Sequence, residues 1–144
     1  MRLAKMDEEK RFEQGMRVRR AVLGDAHVQR AQDNLNAFNG EFQDLITRYA
    51  WGEIWSRPGL PRHTRSLLTI VMLVATNREE ELKLHLRAAA NNGVTRDEIK
   101  EALLQSAIYC GVPAANSAFK LAQEVFDAVD RDAAQGASQP ADPT

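Results

Sequence analysis

Apolar residues recur along this chain at helical spacing. From Asn39 onward, Phe42, Leu45, Ile46, Tyr49 and Ala50 fall at i, i+3, i+4, i+7 and i+8, which is one stripe of an α-helix. The pattern carries on, or restarts, through Trp51-Gly52-Glu53-Ile54-Trp55. Upstream, Asp7 to Leu23 reads as a first helix, with Phe12, Met16 and Leu23 on its stripe and Gly24 as its stop. Asp25 then caps a short turn through Ala26-His27-Val28. Ser56-Arg57-Pro58-Gly59-Leu60-Pro61 is a turn by its Pro and Gly content. The run Ser66 to Ala75 is apolar on nearly every side and predicts a central buried helix.

Downstream, Asn77 to Ala90 is built of good helix formers, and Asn91-Asn92-Gly93 supplies its stop. Thr95-Arg96-Asp97-Glu98 is a capping box. It opens a helix through Ile99, Leu103, Ala107 and Ile108 that Gly111 ends. Val112-Pro113 starts the last helix, whose stripe is Leu121, Val125 and Val129. From Asp132 the periodicity gives way to Ala, Gln, Gly, Ser and Pro, so residues 132–144 read as a disordered tail. Residues 1–6 read as a loose leader, with Met6 as an alternative start. No segment alternates like a strand between hairpin turns. The class is all-α: one domain over residues 7–131, a bundle of about six to eight helices.

Composition narrows the function classes. With 144 residues the chain can bury roughly two-thirds of its unfolded surface. A formal net charge of -1 argues against nucleic acid and anionic membrane as partners. No apolar run is long enough to span a bilayer. Cys110 is the single cysteine, so no internal disulfide forms; without a signal peptide, the expected location is the cytoplasm. His27, His63 and His85 are scattered, and no metal-ligand spacing or Gly-rich phosphate loop appears.

The candidate chemistry centres on Glu81 and His85, which are i and i+4 on one helix face beside Leu82, Leu86 and Ala89. That face is expected to point inward. A carboxylate touching an imidazole on an apolar face is a proton-transfer pair; a surface ion pair is the alternative reading. Trp51 and Trp55 are either packing or the flat wall of a pocket. Arg65, at the entrance of the apolar helix, is either a solvated cap or an anion clamp. His27 near a helix start reads as a hydrogen-bonded or exposed histidine before a substrate contact.

Four blocks together resemble the γ-carboxymuconolactone decarboxylase family. They are Gly24-Asp25-Ala26-His27-Val28, Trp55 to Leu60 with Thr64 to Leu68, Glu81 to His85, and Ala107 to Ala115. The resemblance covers about Asp7 to Val129. The later blocks are shared with the wider superfamily that includes the alkylhydroperoxidase AhpD. That branch carries Cys-x-x-Cys-x-x-x-His; counting back from His85 puts Glu81 and Arg78 at the two cysteine positions. A dithiol cycle needs two thiols, so a thiol peroxidase is the poorer alternative. A non-catalytic helical oligomer that binds an aromatic metabolite is another.

The resemblance implies an AhpD-like helical subunit in a homo-oligomer, a trimer or hexamer. It implies cofactor-independent decarboxylation of 4-carboxymuconolactone to 3-oxoadipate enol-lactone and carbon dioxide, in the β-ketoadipate route of aromatic-acid catabolism. The partner is then a small carboxylated lactone, with no cofactor and no metal. His85 would be the general acid, with Glu81 holding it oriented and protonated. Arg65 would clamp the carboxymethyl group, with Arg57 or Arg62 as substitutes. Trp51, Trp55 and Tyr109 would form the apolar wall.

Overall fold

A computed structural model describes residues 7–137; the leader 1–6 and the part of the tail beyond Ala137 lie outside the described residues. The elements are α1 (Glu8–Leu23), α2 (Asp25–Asp33), α3 (Gly40–Ile46), a π-helix (Thr47–Trp55), α4 (Arg62–Ala75), α5 (Glu79–Ala88), a 3-10 turn (Ala89–Asn92), α6 (Arg96–Tyr109) and α7 (Val112–Ala137). No strand occurs among the described residues, so the fold is all-α. They form two compact units: residues 7–66 with 91–93, and residues 67–90 with 94–137.

In the first unit, Asp7 caps α1 by accepting a 2.8 Å hydrogen bond from the Glu9 amide. The buried face of α1 is Gly15, Val18, Arg19, Val22 and Leu23. That differs from the expected stripe, because Phe12 and Met16 are only half-buried. Gly24 stops α1 at φ +93° and is followed at once by α2. Asp25 therefore opens a nine-residue helix, where only a short turn was expected. Helix α3 buries none of its residues: Phe42 and Leu45, expected to face inward, are 59% and 49% exposed.

The segment after α3 is a π-helix, where the sequence pattern predicts continued α-helix. It packs backbone to backbone on α1. A Cβ at Gly15 would run into the Thr47 carbonyl oxygen, and one at Gly52 into the carbonyl of Arg11. Only glycine permits such an approach. Ionic contacts reinforce it: Arg11 pairs with Glu53, and Arg48 with Glu8 at 3.1 Å. The Tyr49 hydroxyl donates to Glu8 at 3.0 Å.

The second unit has a continuous apolar core. Ile70 and Val74 of α4, Leu82 and Leu86 of α5, Ile99 and Leu103 of α6, and Leu121 and Val125 of α7 pack together. Each such side chain stabilises the fold by about 1.5–3 kcal/mol. Helix α4 is amphipathic in this structure: Ser66, Ile70 and Val74 are buried, whereas Leu68 and Met72 are exposed. Residues spaced by four share a face, so an apolar run can still present two environments. Asn77 takes φ +56°, a left-handed conformation that asparagine tolerates. It delays the start of α5 to Glu79.

The capping box forms as read. Thr95 Oγ1 accepts from the Glu98 amide at 3.1 Å, and Glu98 accepts from the Thr95 amide at 3.0 Å. Gly111, at φ +96°, separates α6 from α7, and Pro113 sits in the first turn of α7. Helix α7 runs on to Ala137, six residues past the boundary read at Arg131. Alanine and glutamine there sustain a helix without an apolar stripe. No described helix is long and apolar enough to cross a membrane.

Candidate active site

Two groups of sequence-predicted residues emerge, one in each unit. In the first unit, Trp51 and Trp55 stack with ring centroids 5.1 Å apart and planes at 29°. Trp51 is buried at 6% exposure, and Trp55 is half-buried. The pair therefore packs Trp51 into the first unit and leaves Trp55 partly exposed. Helix α4 follows directly from the turn after Trp55, and Arg65 lies one turn into it. Arg65 is half-buried, and its Nη2 donates to the Arg57 carbonyl at 3.3 Å. Its backbone amide bonds to the Pro61 carbonyl at 3.1 Å. The 56–61 turn is thereby folded back on the start of α4. Arg57 is exposed, with its guanidinium 3.6 Å from Glu53, and Arg62 is exposed as well.

In the second unit, α5 anchors itself through Leu82, Leu86 and Ala88. His85 flanks that stripe, half-buried, with Nδ1 shielded from solvent. Glu81 shares its helix face one turn earlier but is exposed. The inward face is therefore the leucine stripe, with His85 at its margin and Glu81 at the rim. Glutamates in the first turn complement the positive end of the helix dipole. Tyr109, at the end of α6, is 82% exposed, so within its own unit it walls nothing. Cys110 follows at the C-cap of α6 as a free thiol.

One residue escaped the sequence reading. Arg19, in the first unit, is 4% exposed. Its Nη1 donates to Thr47 Oγ1 at 3.3 Å and its Nη2 to Gln43 Oε1 at 3.0 Å. Burial pulls its pKa below the usual guanidinium value; arginine keeps its charge in proteins. His27 is half-buried on α2. Burial, and then the charges of Arg19 and Arg30, hold its imidazole below the ordinary histidine value. The signal was present in the chain: positions 15, 18, 19 and 22 are i, i+3, i+4 and i+7 of an inward face, and one of them is an arginine.

Comparison with known proteins adds a second kind of observation. Residues 40–124 match the Carboxymuconolactone decarboxylase family. The chain is 59% identical over 121 residues to a 4-carboxymuconolactone decarboxylase of Acinetobacter baylyi, covering 84% of this chain and 90% of that protein. It is 46% identical over 121 residues to a nitrosuccinic acid decarboxylase, npaB, of Metarhizium robertsii, covering 83% of this chain and 85% of the relative. A 48-residue match to a 4-carboxymuconolactone decarboxylase of Pseudomonas putida is 65% identical, covering 33% of this chain and all of that sequence.

Proposed function

The chain belongs to the carboxymuconolactone decarboxylase family, and from that premise we propose that it is a carboxy-lyase that converts 4-carboxymuconolactone to 3-oxoadipate enol-lactone and carbon dioxide. The observation that carries this is the 59% identity extending over 90% of the Acinetobacter enzyme. The resemblance read from the sequence blocks points the same way.

The chemistry asks for few parts. The departing carboxylate sits γ to the lactone carbonyl across a double bond. When its C–C bond breaks, the electron pair enters the ring as a dienolate and carbon dioxide leaves. A proton then adds to the ring carbon next to the lactone carbonyl. The substrate is its own electron sink. The protein must shield the departing carboxylate from water, stabilise charge on the lactone oxygen and deliver one proton.

In this reading His85 is the proton donor; a half-buried imidazole at the edge of an apolar stripe suits that task. Glu81 orients it from the same helix face. Arg65 clamps the carboxymethyl group that stays; Arg57 or Arg62 substitutes for it. Trp51 and Trp55 offer an apolar surface, and Tyr109 is available to contribute to one. Cys110 takes no part. The subunit works as a homo-oligomer, a trimer or hexamer, in the cytoplasm. The exposed Phe38, Phe42 and Tyr109 support association, and a single cysteine fits a reducing compartment.

The likeness to a nitrosuccinic acid decarboxylase favours a second reading of specificity. Both named substrates are dicarboxylic acids with an electron-accepting group, a lactone or a nitro group, that can hold the electron pair. The test is to supply the purified chain with each acid in metal-free buffer and measure carbon dioxide release. We expect turnover of 4-carboxymuconolactone. His85→Gln should lower it by roughly 10²–10⁴-fold with helicity unchanged in circular dichroism. Turnover of nitrosuccinate alone would move the substrate assignment. No turnover of either would leave a helical binding protein, and near-parent activity in His85→Gln would remove the proton donor.

A further inference from the structure

Arg19 differs from the other paired arginines of its unit. Arg11, Arg20, Arg48 and Arg57 each face a carboxylate. Arg19 is 4% exposed and is held only by the neutral oxygens of Thr47 and Gln43. Its Nε is buried with no hydrogen-bond partner. Neither Arg19 nor His27 has an acidic partner among the described residues. Arginine is almost never fully buried unless it is paired, because a desolvated charge without a counter-charge is costly. The Thr47 and Gln43 bonds fix the plane of the guanidinium and leave an unused donor in a fork that matches a carboxylate.

The second member comes from the neighbouring helix. The left-handed turn at Gly24 joins α1 directly to α2, which packs back on α1, and His27 lies half-buried on the first turn of α2. Two cations, Arg19 and Arg30, act on it. A neutral imidazole in such a field can donate one N–H to an anion without adding to the repulsion.

We propose that Arg19 and His27 form an anion subsite that takes one carboxylate of a small dicarboxylic acid, in the decarboxylase reading the carboxymethyl group that stays and that Arg65 also holds. Arg19 supplies the charge and the fixed donor geometry, and His27 the outer hydrogen bond. The dicarboxylic identity of the ligand rests on the decarboxylase reading; the subsite itself rests on the buried, uncompensated guanidinium. Neither residue has a part in the proton transfer assigned to His85.

The experiment has two arms. In the first, thermal unfolding is followed against increasing succinate, an unreactive dicarboxylate, with sodium chloride at matched ionic strength as control. Succinate should stabilise the parent beyond the chloride control. Its half-saturation concentration should rise at least tenfold in Arg19→Met and several-fold in His27→Gln, with Arg19→Lys between parent and Arg19→Met. In the second arm, KM for 4-carboxymuconolactone should rise tenfold or more in Arg19→Met while kcat stays within a few-fold. Should Arg19→Met fail to fold, His27→Gln and Arg19→Lys carry both arms. A parent indifferent to succinate, or folded variants that respond as the parent does, would overturn the subsite. The succinate arm needs no turnover, so absence of decarboxylation would defeat the function and leave this arm standing.

Discussion

At the scale of single residues, the chain shows which chemistry a sequence displays and which it hides. Glu81 and His85 were legible because i,i+4 spacing is local, and the structure keeps them on one face of α5. Their unequal exposure was not legible, since it depends on how the leucine stripe meets its neighbours. Arg19 was hidden by company: in Arg17-Val18-Arg19-Arg20 it looks like part of a solvated basic run, and only the inward register separates it. His27 carries a pH consequence. Its folded pKa lies below the ordinary value of 6.5, so the unfolded chain binds the proton more readily. The stabilisation this gives is complete above pH 6.5 and is lost as pH falls through that value toward the lower folded pKa. Denaturant midpoints of the parent should therefore drop more steeply than those of His27→Gln between pH 7.5 and pH 5. Parallel profiles would show that His27 titrates alike in both states.

At the scale of elements, the helix boundaries set by side-chain chemistry were readable. Thr95 and Glu98 announce α6, and Gly24, Gly93 and Gly111 all take positive φ where a helix or helical turn stops. The π-helix was not readable. Thr47 to Trp55 has the composition of ordinary helix; what sets it apart is its backbone contact with α1 through Gly15 and Gly52, residues 37 positions apart. Gly15→Ala tests that contact. A methyl forced against the Thr47 carbonyl must displace backbone, and overpacking of this kind costs about 1–3 kcal/mol or more. Gly136→Ala is the control, since a Cβ there meets nothing within 4 Å; in a helix it should be neutral or stabilise by up to about 1 kcal/mol. Equal effects in chemical denaturation would mean that the two backbones can part without loss.

At the scale of the molecule, the all-α class followed from helical periodicity in most stretches and, for the evenly apolar run Ser66 to Ala75, from its length and the lack of any partner strand. Which stripes face outward did not follow. Phe38 is 98% exposed, Ile108 78% and Tyr109 82%, and their periodicity cannot say whether the apolar partner belongs to the same chain or to another copy. Surfaces of this kind in each unit argue for self-association. Sedimentation should show an oligomer at micromolar concentration. Phe42→Glu, which places a charge on the exposed face of α3, should shift it toward smaller species. A stable, active monomeric parent would defeat the oligomer.

The small returning segment 91–93 has a further consequence. It belongs to the first unit, where the Asn91 side-chain amide donates to the Val22 carbonyl at 3.1 Å, across 69 residues of chain. During synthesis, residues 7–66 leave the ribosome before this contact can exist. Translation at about 5–20 residues per second adds the intervening stretch over roughly one to five seconds. Through that interval the nascent first unit must hold its shape on the packing of α1 with α2 and of the π-helix with α1 and α3. In the second unit α7 packs on both α6 and α5, so that core closes only once α7 is made. Its core can assemble as α7 emerges, whereas the first unit waits for a tie made in the middle of the message.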